Sequence, residues 1–272
     1  MIKISKETSK YLICFCPWHN DVNTPNLVIN KVAIGDKPKG YAHCFSCNWT
    51  GNYANELADF ESAEPVEHEN VDFAVLTAKY EHNYDLQSKD RFLKPFVVSV
   101  VTLKDYHIGW DGSAFTFPMY DPYDICGIHR RFTDGFKCCV DGSNLGLFLP
   151  CMPILDMTVY ITEGLSDACV LRDCGFYAVG KPSAYVGDDL FIDYIKYTTL
   201  SNTRFVCVGD DYNKPFNHSI GKQAANALAL QLIELGYDTT VPHISQSLGI
   251  KDIRQLAMRF GNEALTKIMI EA

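Results

Sequence analysis

Four residues near the start of the chain have the types and spacing of metal ligands. Cys16 and His19 are separated by two residues, and Cys44 and Cys47 repeat that spacing. A structural zinc takes four thiolate or imidazole ligands in a tetrahedron, and a tight turn of this spacing supplies two of them. The segment between the pairs alternates in polarity and contains a Gly- and Pro-rich turn, which is typical of a β-hairpin. The pattern predicts a zinc ribbon with one zinc ion.

Two neighbouring residues offer alternative ligands for this site. Cys14 and His43 lie beside the four predicted ligands, but neither completes a pair with the two-residue spacing. A further alternative is that all of these residues are unlinked members of a core. Two matched pairs that flank a hairpin make that alternative the weaker one.

Acidic residues follow apolar segments in the second half of the chain, where strand-like and helical patterns alternate. The acids at these positions are Glu163, Asp210, Asp211 and, after a short loop, Asp252. The alternation predicts a mainly parallel sheet, whose strands all end at one edge, so these acids can converge there. Clustered carboxylates suit Mg²⁺ or Mn²⁺, and a pair of such ions serves phosphoryl transfer. The alternative, that each acid only caps the next helix, suits Asp167 and, less well, Asp211.

A cationic hairpin is predicted in the middle of the chain. Arg130, Arg131 and Lys137 flank a turn at Asp134 in a chain that is otherwise acidic. Strand alternation places Arg131 and His129 on one face and Arg130 on the other. Cations on a strand face fit contact with phosphates. The alternative is an edge strand that charge protects from aggregation.

The composition limits the class of protein. The chain has 272 residues and is 47% apolar, with 16 Phe and 15 Tyr, which excludes wholesale disorder. Its net charge of −9 argues against a general nucleic-acid coat protein but permits a local basic groove. The polar start and the lack of an apolar run of about 20 residues predict a cytoplasmic protein without a membrane anchor. Most of the 11 cysteines are scattered, as buried apolar residues are.

Composition shifts predict the domain organisation. The fold class is α/β, with a small N-terminal zinc ribbon, an α+β basic subdomain and an α/β sheet domain. We predict the ribbon over residues 1–58, an acidic linker over 59–72 and the basic subdomain over 73–154. The sheet domain, with a C-terminal helix, is predicted over 155–272.

Three stretches of the chain resemble bacterial and phage DNA primases. The segment from Cys16 to Gly51 is similar to their Cys-His-Cys-Cys zinc-binding domain, and residues 107–148 look like the start of their RNA-polymerase domain. Glu163-Gly-Leu-Ser-Asp167, Gly209-Asp210-Asp211 and Lys251-Asp252 resemble the Toprim fold of primases and topoisomerases. The order of the three stretches is more specific than any one motif, and it resembles the primase half of phage primase–helicase proteins.

The resemblance implies a template-directed RNA primer synthase with Mg²⁺ or Mn²⁺ as catalytic cofactor. It implies Glu163, Asp210 and Asp252 as catalytic acids, with Asp211 as a further metal ligand. Arg131 and Lys137, supported by Arg130, are expected to bind template or nucleotide. Further nucleic-acid contacts are expected, through stacking or phosphate binding, from Trp18, Lys39, Tyr41 and Trp49. The expected partners are single-stranded DNA, ribonucleoside triphosphates and a replicative helicase in trans, in the cytoplasm of a bacterium or a phage-infected host.

One departure from the family pattern bears on whether the protein is catalytically active. The second Toprim motif usually reads Asp-x-Asp, whereas Tyr212 occupies the third position here. Either Asp211 substitutes for the missing acid, or the second metal is bound weakly and the enzyme is impaired. Tyr212 thus leaves open a catalytically impaired primase-like protein that binds DNA or the replisome. A separate alternative is a Toprim nuclease, which shares the acids but cleaves DNA. Gly221-Lys222-Gln223 lacks the rest of a phosphate-binding loop, so no fused helicase motor is expected.

Overall fold

The computed structural model describes most of the chain, in two compact units. The described residues are 2–7, 11–18, 25–33, 37–44, 47, 49–53, 71–86, 98–133, 137–151, 158–184, 186–198 and 202–271. Contacts group residues 1–73 with 127–144 as the first unit, and 74–126 with 145–272 as the second. The predicted linker up to residue 70, the turn at Asp134 and the predicted ligand His19 lie outside the described residues. The domain boundaries stay predictions.

The first unit contains a five-stranded sheet with neighbouring strands antiparallel. Its strands, in order along chain and sheet, are β1 (Ile4–Glu7), β2 (Tyr11–Cys14), β3 (Leu27–Asn30), β4 (Tyr41–Cys44) and β5 (Thr50–Asn52). Leu27 and Ile29 point into a small core because alternate residues of a strand share a face. Leu27 pairs with Cys44 across β3 and β4, so the predicted ribbon hairpin is confirmed.

A second antiparallel pair belongs to the same unit. It consists of β8 (Ile125–Phe132), from Gly127 onward, and β9 (Lys137–Cys139). The Val140 N–H donates to the Ile128 carbonyl at 2.8 Å, and the Ile128 N–H donates to the Ser143 hydroxyl at 3.0 Å. These bonds hold the base of the hairpin closed.

The second unit begins with two helices and a hairpin. They are α1 (Phe73–Leu86), α2 (Val100–Asp105), β6 (Gly109–Trp110) and β7 (Ala114–Tyr120). The Ser99 hydroxyl caps α2 by accepting the Thr102 N–H at 3.2 Å. The Asp173 carboxylate accepts hydrogen bonds at 2.9 Å from both the Ser99 N–H and the Thr102 hydroxyl. This carboxylate therefore ties the start of α2 to the body of the unit.

A parallel sheet forms the centre of the second unit. Its elements are β10 (Thr158–Thr162), α3 (Leu165–Asp173), β11 (Tyr177–Gly180), α4 (Asp188–Thr198), β12 (Arg204–Cys207), α5 (Ile220–Glu234) and β13 (Asp238–Thr240). The strand order is β11-β10-β12-β13, and every pair is parallel, as predicted. Strands of such a sheet are covered on both faces, which explains their continuous apolar sequence. Val159, Ile161 and Phe205 are accordingly buried, with Phe191 and Leu228 packed in the same core.

The chain ends in two short helices. The helices α6 (Ile253–Phe260) and α7 (Asn262–Ile270) are separated at Gly261. The confirmed fold class is thus mixed α/β with an N-terminal antiparallel sheet. Among the described residues, no helix combines the length and the apolar character that a membrane span requires.

Candidate active site and metal-binding cluster

Three cysteines bring their sulfur atoms together at one end of the N-terminal sheet. Cys16 lies two residues after β2, Cys44 ends β4, and Cys47 follows in the next turn. Their Sγ atoms lie within 4.8 Å of one another, and the sulfurs of Cys16 and Cys47 are 3.8 Å apart. Zn–S bonds of about 2.3 Å in a tetrahedron place two sulfurs about 3.8 Å apart. The cluster therefore fits a zinc site.

Without a cation, the crowding of these thiols favours their protonated forms. Hydrogen bonds with the Cys44 and Cys47 thiols, and then burial, raise the pKa of Cys16 far above its ordinary value. A divalent cation has the opposite effect, because it favours the thiolate form of its ligands. The Cys47 N–H also points to the Cys44 sulfur at 3.5 Å, which supports negative charge on that sulfur.

The fourth ligand of this site stays a prediction. His19, the predicted ligand, lies outside the described residues. In the described part of the chain, the metal-binding cluster consists of Cys16, Cys44 and Cys47, without Cys14 or His43. Cys14 is fully buried in the ribbon core, and burial raises its pKa to about 11.

The tryptophans of the ribbon that were predicted to contact nucleic acid pack against each other. The indole rings of Trp18 and Trp49 are stacked, with centroids 3.7 Å apart and planes 12° apart. The buried ring of Tyr53 is tilted against both of them. Lys39 is exposed, and Tyr41 lies beneath the ammonium group of Lys37 at 4.9 Å. Contacts of Trp18, Trp49 and Lys39 with nucleic acid stay predictions.

The cationic hairpin concentrates positive charge on one face. Arg131 pairs directly with Lys137 across β8 and β9. Burial, followed by the positive charges of Lys137 and Arg131, lowers the pKa of His129 to about 4. The guanidinium of Arg130 instead contacts an aromatic ring, at 4.8 Å from the Phe132 ring centroid. The face of Arg131 and Lys137 is therefore suited to an anion.

The predicted acids meet at the carboxyl edge of the parallel sheet. Ile161 of β10 pairs with Cys207 of β12, so Glu163 and Asp210 leave neighbouring strands at the same edge. Asp252 caps α6 by accepting the Gln255 N–H at 2.7 Å, and it is only 8% exposed. We call Glu163, Asp167, Asp210 and Asp252 the acid cluster.

Burial, together with mutual repulsion, favours protonated carboxyl groups in the acid cluster. Burial, followed by the charges of Asp167, Glu163 and Asp252, raises the pKa of Asp210 to about 8, against a small opposing effect of Lys251. Burial, followed by the charge of Asp252, raises the pKa of Asp167 to about 6. Buried carboxylates that repel one another favour the binding of a proton or a cation. Their hard oxygen atoms fit Mg²⁺ or Mn²⁺.

Close backbone packing fixes the position of Asp210. A Cβ atom at Gly221, in the first turn of α5, would lie 2.3 Å from the Asp210 nitrogen, so only glycine fits there. The Ser219 hydroxyl donates to the Asp210 carbonyl at 2.9 Å and accepts the Lys222 N–H at 3.1 Å. The loop that carries Asp210 is thus fastened to the N-terminus of α5.

Asp167 is a member of the acid cluster that the sequence analysis missed. It is 6% exposed, and it accepts the Arg254 N–H of α6 at 3.0 Å instead of capping its own helix. The helix-cap interpretation of Asp167 is therefore wrong. The signal was its position four residues after Glu163, in the first turn of α3, which returns it to the edge where Glu163 lies.

The two residues after Asp210 stand where the family motif Asp-x-Asp continues, and their side chains have other partners or surroundings. Asp211 has a left-handed backbone, with φ of 60°, and its carboxylate pairs with Lys214 at 2.9 Å. Tyr212 is buried, and its N–H donates to the Lys251 carbonyl at 3.0 Å. The substitution of Asp211 for the missing acid stays a prediction.

Comparisons with known proteins identify the fold. No family model and no curated protein matches the chain. A solved structure of the Aquifex aeolicus primase, with zinc-binding and RNA polymerase domains, matches 98% of this chain and 80% of its own, at 13% identity and a TM-score of 0.54. The primase fragment of the bacteriophage T7 primase–helicase protein matches 95% and 99%, at 14% identity and a TM-score of 0.52.

A third structure, the DnaG catalytic core, matches 74% of this chain and 78% of its own, at 15% identity and a TM-score of 0.52. At identities this low, the structural matches establish the fold alone. The sequence resemblance to primases is thus confirmed at the level of structure, and the cysteine cluster lies where a zinc site is expected. The chain has the fold of the zinc-binding and RNA polymerase domains of DnaG-type primases.

Proposed function

We propose that this protein is a DNA primase, which synthesises short RNA primers on single-stranded DNA. The observation that carries the proposal is the acid cluster at the carboxyl edge of the parallel sheet, where burial and then the charges of the other three acids raise the pKa of Asp210 to about 8. The shared fold supports it, and one further structural match, at 17% identity and a TM-score of 0.52, is a DnaG primase catalytic domain bound to single-stranded DNA.

The acid cluster would hold the catalytic cations. Glu163, Asp167, Asp210 and Asp252 offer the oxygen atoms that Mg²⁺ or Mn²⁺ requires. Cations bound there supply positive charge beside phosphate oxygens. In the proposed reaction, the 3′-hydroxyl of one ribonucleotide attacks the α-phosphate of the next, and pyrophosphate leaves. We assign Glu163 the further role of accepting the proton of the attacking hydroxyl.

The first unit would contact template and nucleotide. Arg131 and Lys137 lie opposite each other across the two strands, and the contribution of their charges to the lowered pKa of His129 supports a positive local field. We propose that they bind phosphates, with Arg130 in support, because guanidinium and ammonium groups match phosphate oxygens. Trp18, Lys39 and Trp49 of the ribbon would support template selection.

We also propose that a replicative helicase assists in trans. The net charge of −9 predicts weak binding to a polyanionic template by this chain alone. The T7 structure named above is a fragment of a primase–helicase protein, which supports the same kind of partnership.

One observation favours a second candidate, a primase-like protein with impaired catalysis. Tyr212 replaces an acid of the family motif, and the neighbouring Asp211 is already paired with Lys214. Such a protein would bind single-stranded DNA but would bind Mn²⁺ weakly. Calorimetric titration with Mn²⁺ separates the two candidates, since a primase must bind the cation.

A template-dependent synthesis assay tests the proposal. The protein is incubated with single-stranded DNA of mixed sequence, labelled ribonucleoside triphosphates and Mg²⁺ or Mn²⁺. We expect alkali-labile dinucleotides and short oligomers that depend on the template. Nicked DNA without nucleotide incorporation would instead identify a Toprim nuclease, and DNA binding without either product would identify the impaired protein.

A further inference from the structure

A cysteine, a histidine and a glutamate outside both sites form one hydrogen-bonded chain. The sulfur of Cys151 lies 3.1 Å from Nε2 of His107. Nδ1 of the same imidazole lies 2.8 Å from Oε1 of Glu81. All three residues belong to the second unit, and the proposed polymerase reaction uses none of them.

The hydrogen-bond partners of His107 determine which atoms of the three side chains carry a proton. The Glu81 carboxylate accepts a hydrogen bond, so Nδ1 of His107 carries the proton. Nε2 of the neutral imidazole is then an acceptor, and the Cys151 thiol is the donor that faces it. A nucleophile, a base and a group that orients the base are the components of an activated nucleophile.

The backbone holds Cys151 and His107 in place from two sides. His107 follows the end of α2 in the left-handed region, with φ of 51°, and its N–H donates to the Lys104 carbonyl at 3.0 Å. The Cys151 N–H donates to the Asp105 carbonyl at 2.7 Å, two residues before His107. The thiol is therefore anchored beside the imidazole by main-chain bonds.

Cys151 is also accessible. All eleven cysteines lie in the described part of the chain, and Cys151 alone among them is exposed. The side chains of His107 and Glu81 are 37% and 34% exposed. Burial, followed by the charges of Asp105 and Glu81, raises the pKa of Cys151, so the resting group is the neutral thiol and a base is needed.

We propose that Cys151 is a modification site for small disulfides such as glutathione disulfide, with His107 as general base and Glu81 as positioning residue. The Cys151 sulfur attacks one sulfur of the disulfide and transfers its proton to Nε2 of His107. A new S–S bond forms, the old one breaks, and the departing thiolate takes the proton from His107. The products are a mixed disulfide on Cys151 and one free thiol, so the exchange is balanced and reversible.

Peptide mass spectrometry of the zinc-loaded protein with glutathione disulfide tests this inference. We expect Cys151 to acquire the adduct faster than the half-buried Cys174. His107→Asn should slow the reaction about tenfold or more, since a general base contributes at least this much. Asn tolerates the left-handed backbone at this position, so the fold is kept. The control His82→Asn, an exposed neighbour of Glu81, should react as wild type does.

Two variants at Glu81 separate positioning from packing. Glu81→Gln keeps an oxygen acceptor for the His107 proton, so we expect a rate within about threefold of wild type. Glu81→Met keeps the shape but removes the acceptor, and it should react about as slowly as His107→Asn. Equal rates for wild type and His107→Asn, or an adduct on Cys174 ahead of Cys151, would overturn the inference. Neither result bears on primer synthesis.

Discussion

At Asp210, burial and three neighbouring carboxylates all favour the protonated form. An aspartate with a folded-state pKa of about 8 binds a proton that the unfolded chain, with a value near 3.8, has already released. Without bound cations, the free energy of unfolding must therefore fall as the pH rises from about 4 to about 8. The acid cluster is thus an arrangement that stability alone does not favour, which is typical of functional sites.

Replacing Asp210 tests this charge balance. Asp210→Asn should raise the melting temperature of the protein at pH 8 by several degrees, and much less at pH 5, in buffer without added magnesium or manganese. The exposed Asp189 provides the control, because Asp189→Asn should leave both melting temperatures nearly unchanged. Calorimetric scans at the two pH values measure the difference. An equal loss of stability at both pH values would contradict the assigned repulsion.

Sequence reasoning found three of the four clustered acids. Glu163, Asp210 and Asp252 follow apolar segments, so strand topology alone was enough to bring them together. Asp167 was missed because Asp in a first helical turn usually has a local role. Its actual partner is the Arg254 N–H, 87 positions later in the chain, and no local pattern reveals such a contact.

At the scale of elements, the N-terminal ribbon depends on its metal. Its core is small, so zinc should supply much of the energy that holds the sheet and the Trp18–Trp49 stack together. We expect about one zinc per chain by elemental analysis and markedly less in Cys44→Ser. A chelator should abolish the circular dichroism signal of the stacked indoles. A signal that persists after complete zinc removal would show that the ribbon folds without the metal.

The loop between β12 and α5 positions Asp210 through Gly221. Gly221→Ala places a methyl group 2.3 Å from the Asp210 nitrogen and must displace the loop. We expect a stability loss of about 1–3 kcal/mol and a loss of primer synthesis of more than tenfold.

Gly236→Ala is the matched control for that variant. It introduces left-handed strain at φ of 91° in open space, which costs about 1 kcal/mol, and activity should persist. Chemical denaturation and the synthesis assay together separate the two effects. Full activity in Gly221→Ala would show that this loop does not position the acid.

The boundaries of two other elements could not be predicted from sequence patterns. The β-branched run before Thr102 gives no clear pattern, yet Ser99 and the distant Asp173 carboxylate start α2 there. The last strand of the sheet, β13, ends at Thr240, and Pro242 two residues later has no N–H to donate to a longer strand. Tertiary contacts and a missing donor decided these boundaries.

At the scale of the whole molecule, a few cationic side chains must bind DNA despite the net negative charge of the chain. The chain has a net charge of −9, so binding of single-stranded DNA should depend on a few cationic groups, each of which adds to the salt dependence of binding. Arg131→Ala combined with Lys137→Ala should weaken binding and reduce the slope of log K against log salt by about 1.4, since each phosphate contact contributes about 0.7.

A charge-matched double variant controls for the change in net charge. Lys196→Ala combined with Lys267→Ala removes two exposed cations from α4 and α7 and should leave the salt slope nearly unchanged. Fluorescence anisotropy of a labelled oligonucleotide over a salt series measures both. Identical slopes in the two double variants would remove the hairpin from the nucleic-acid interface.

The comparison of Glu163→Gln with wild type in primer synthesis tests the central claim most directly. This variant keeps the size of the side chain but removes its charge from the acid cluster, and we predict a loss of about 100-fold or more. Glu234→Gln, an exposed residue at the end of α5, should synthesise primers at the wild-type rate. A Glu163→Gln protein as active as wild type would contradict nucleotidyl transfer at the acid cluster.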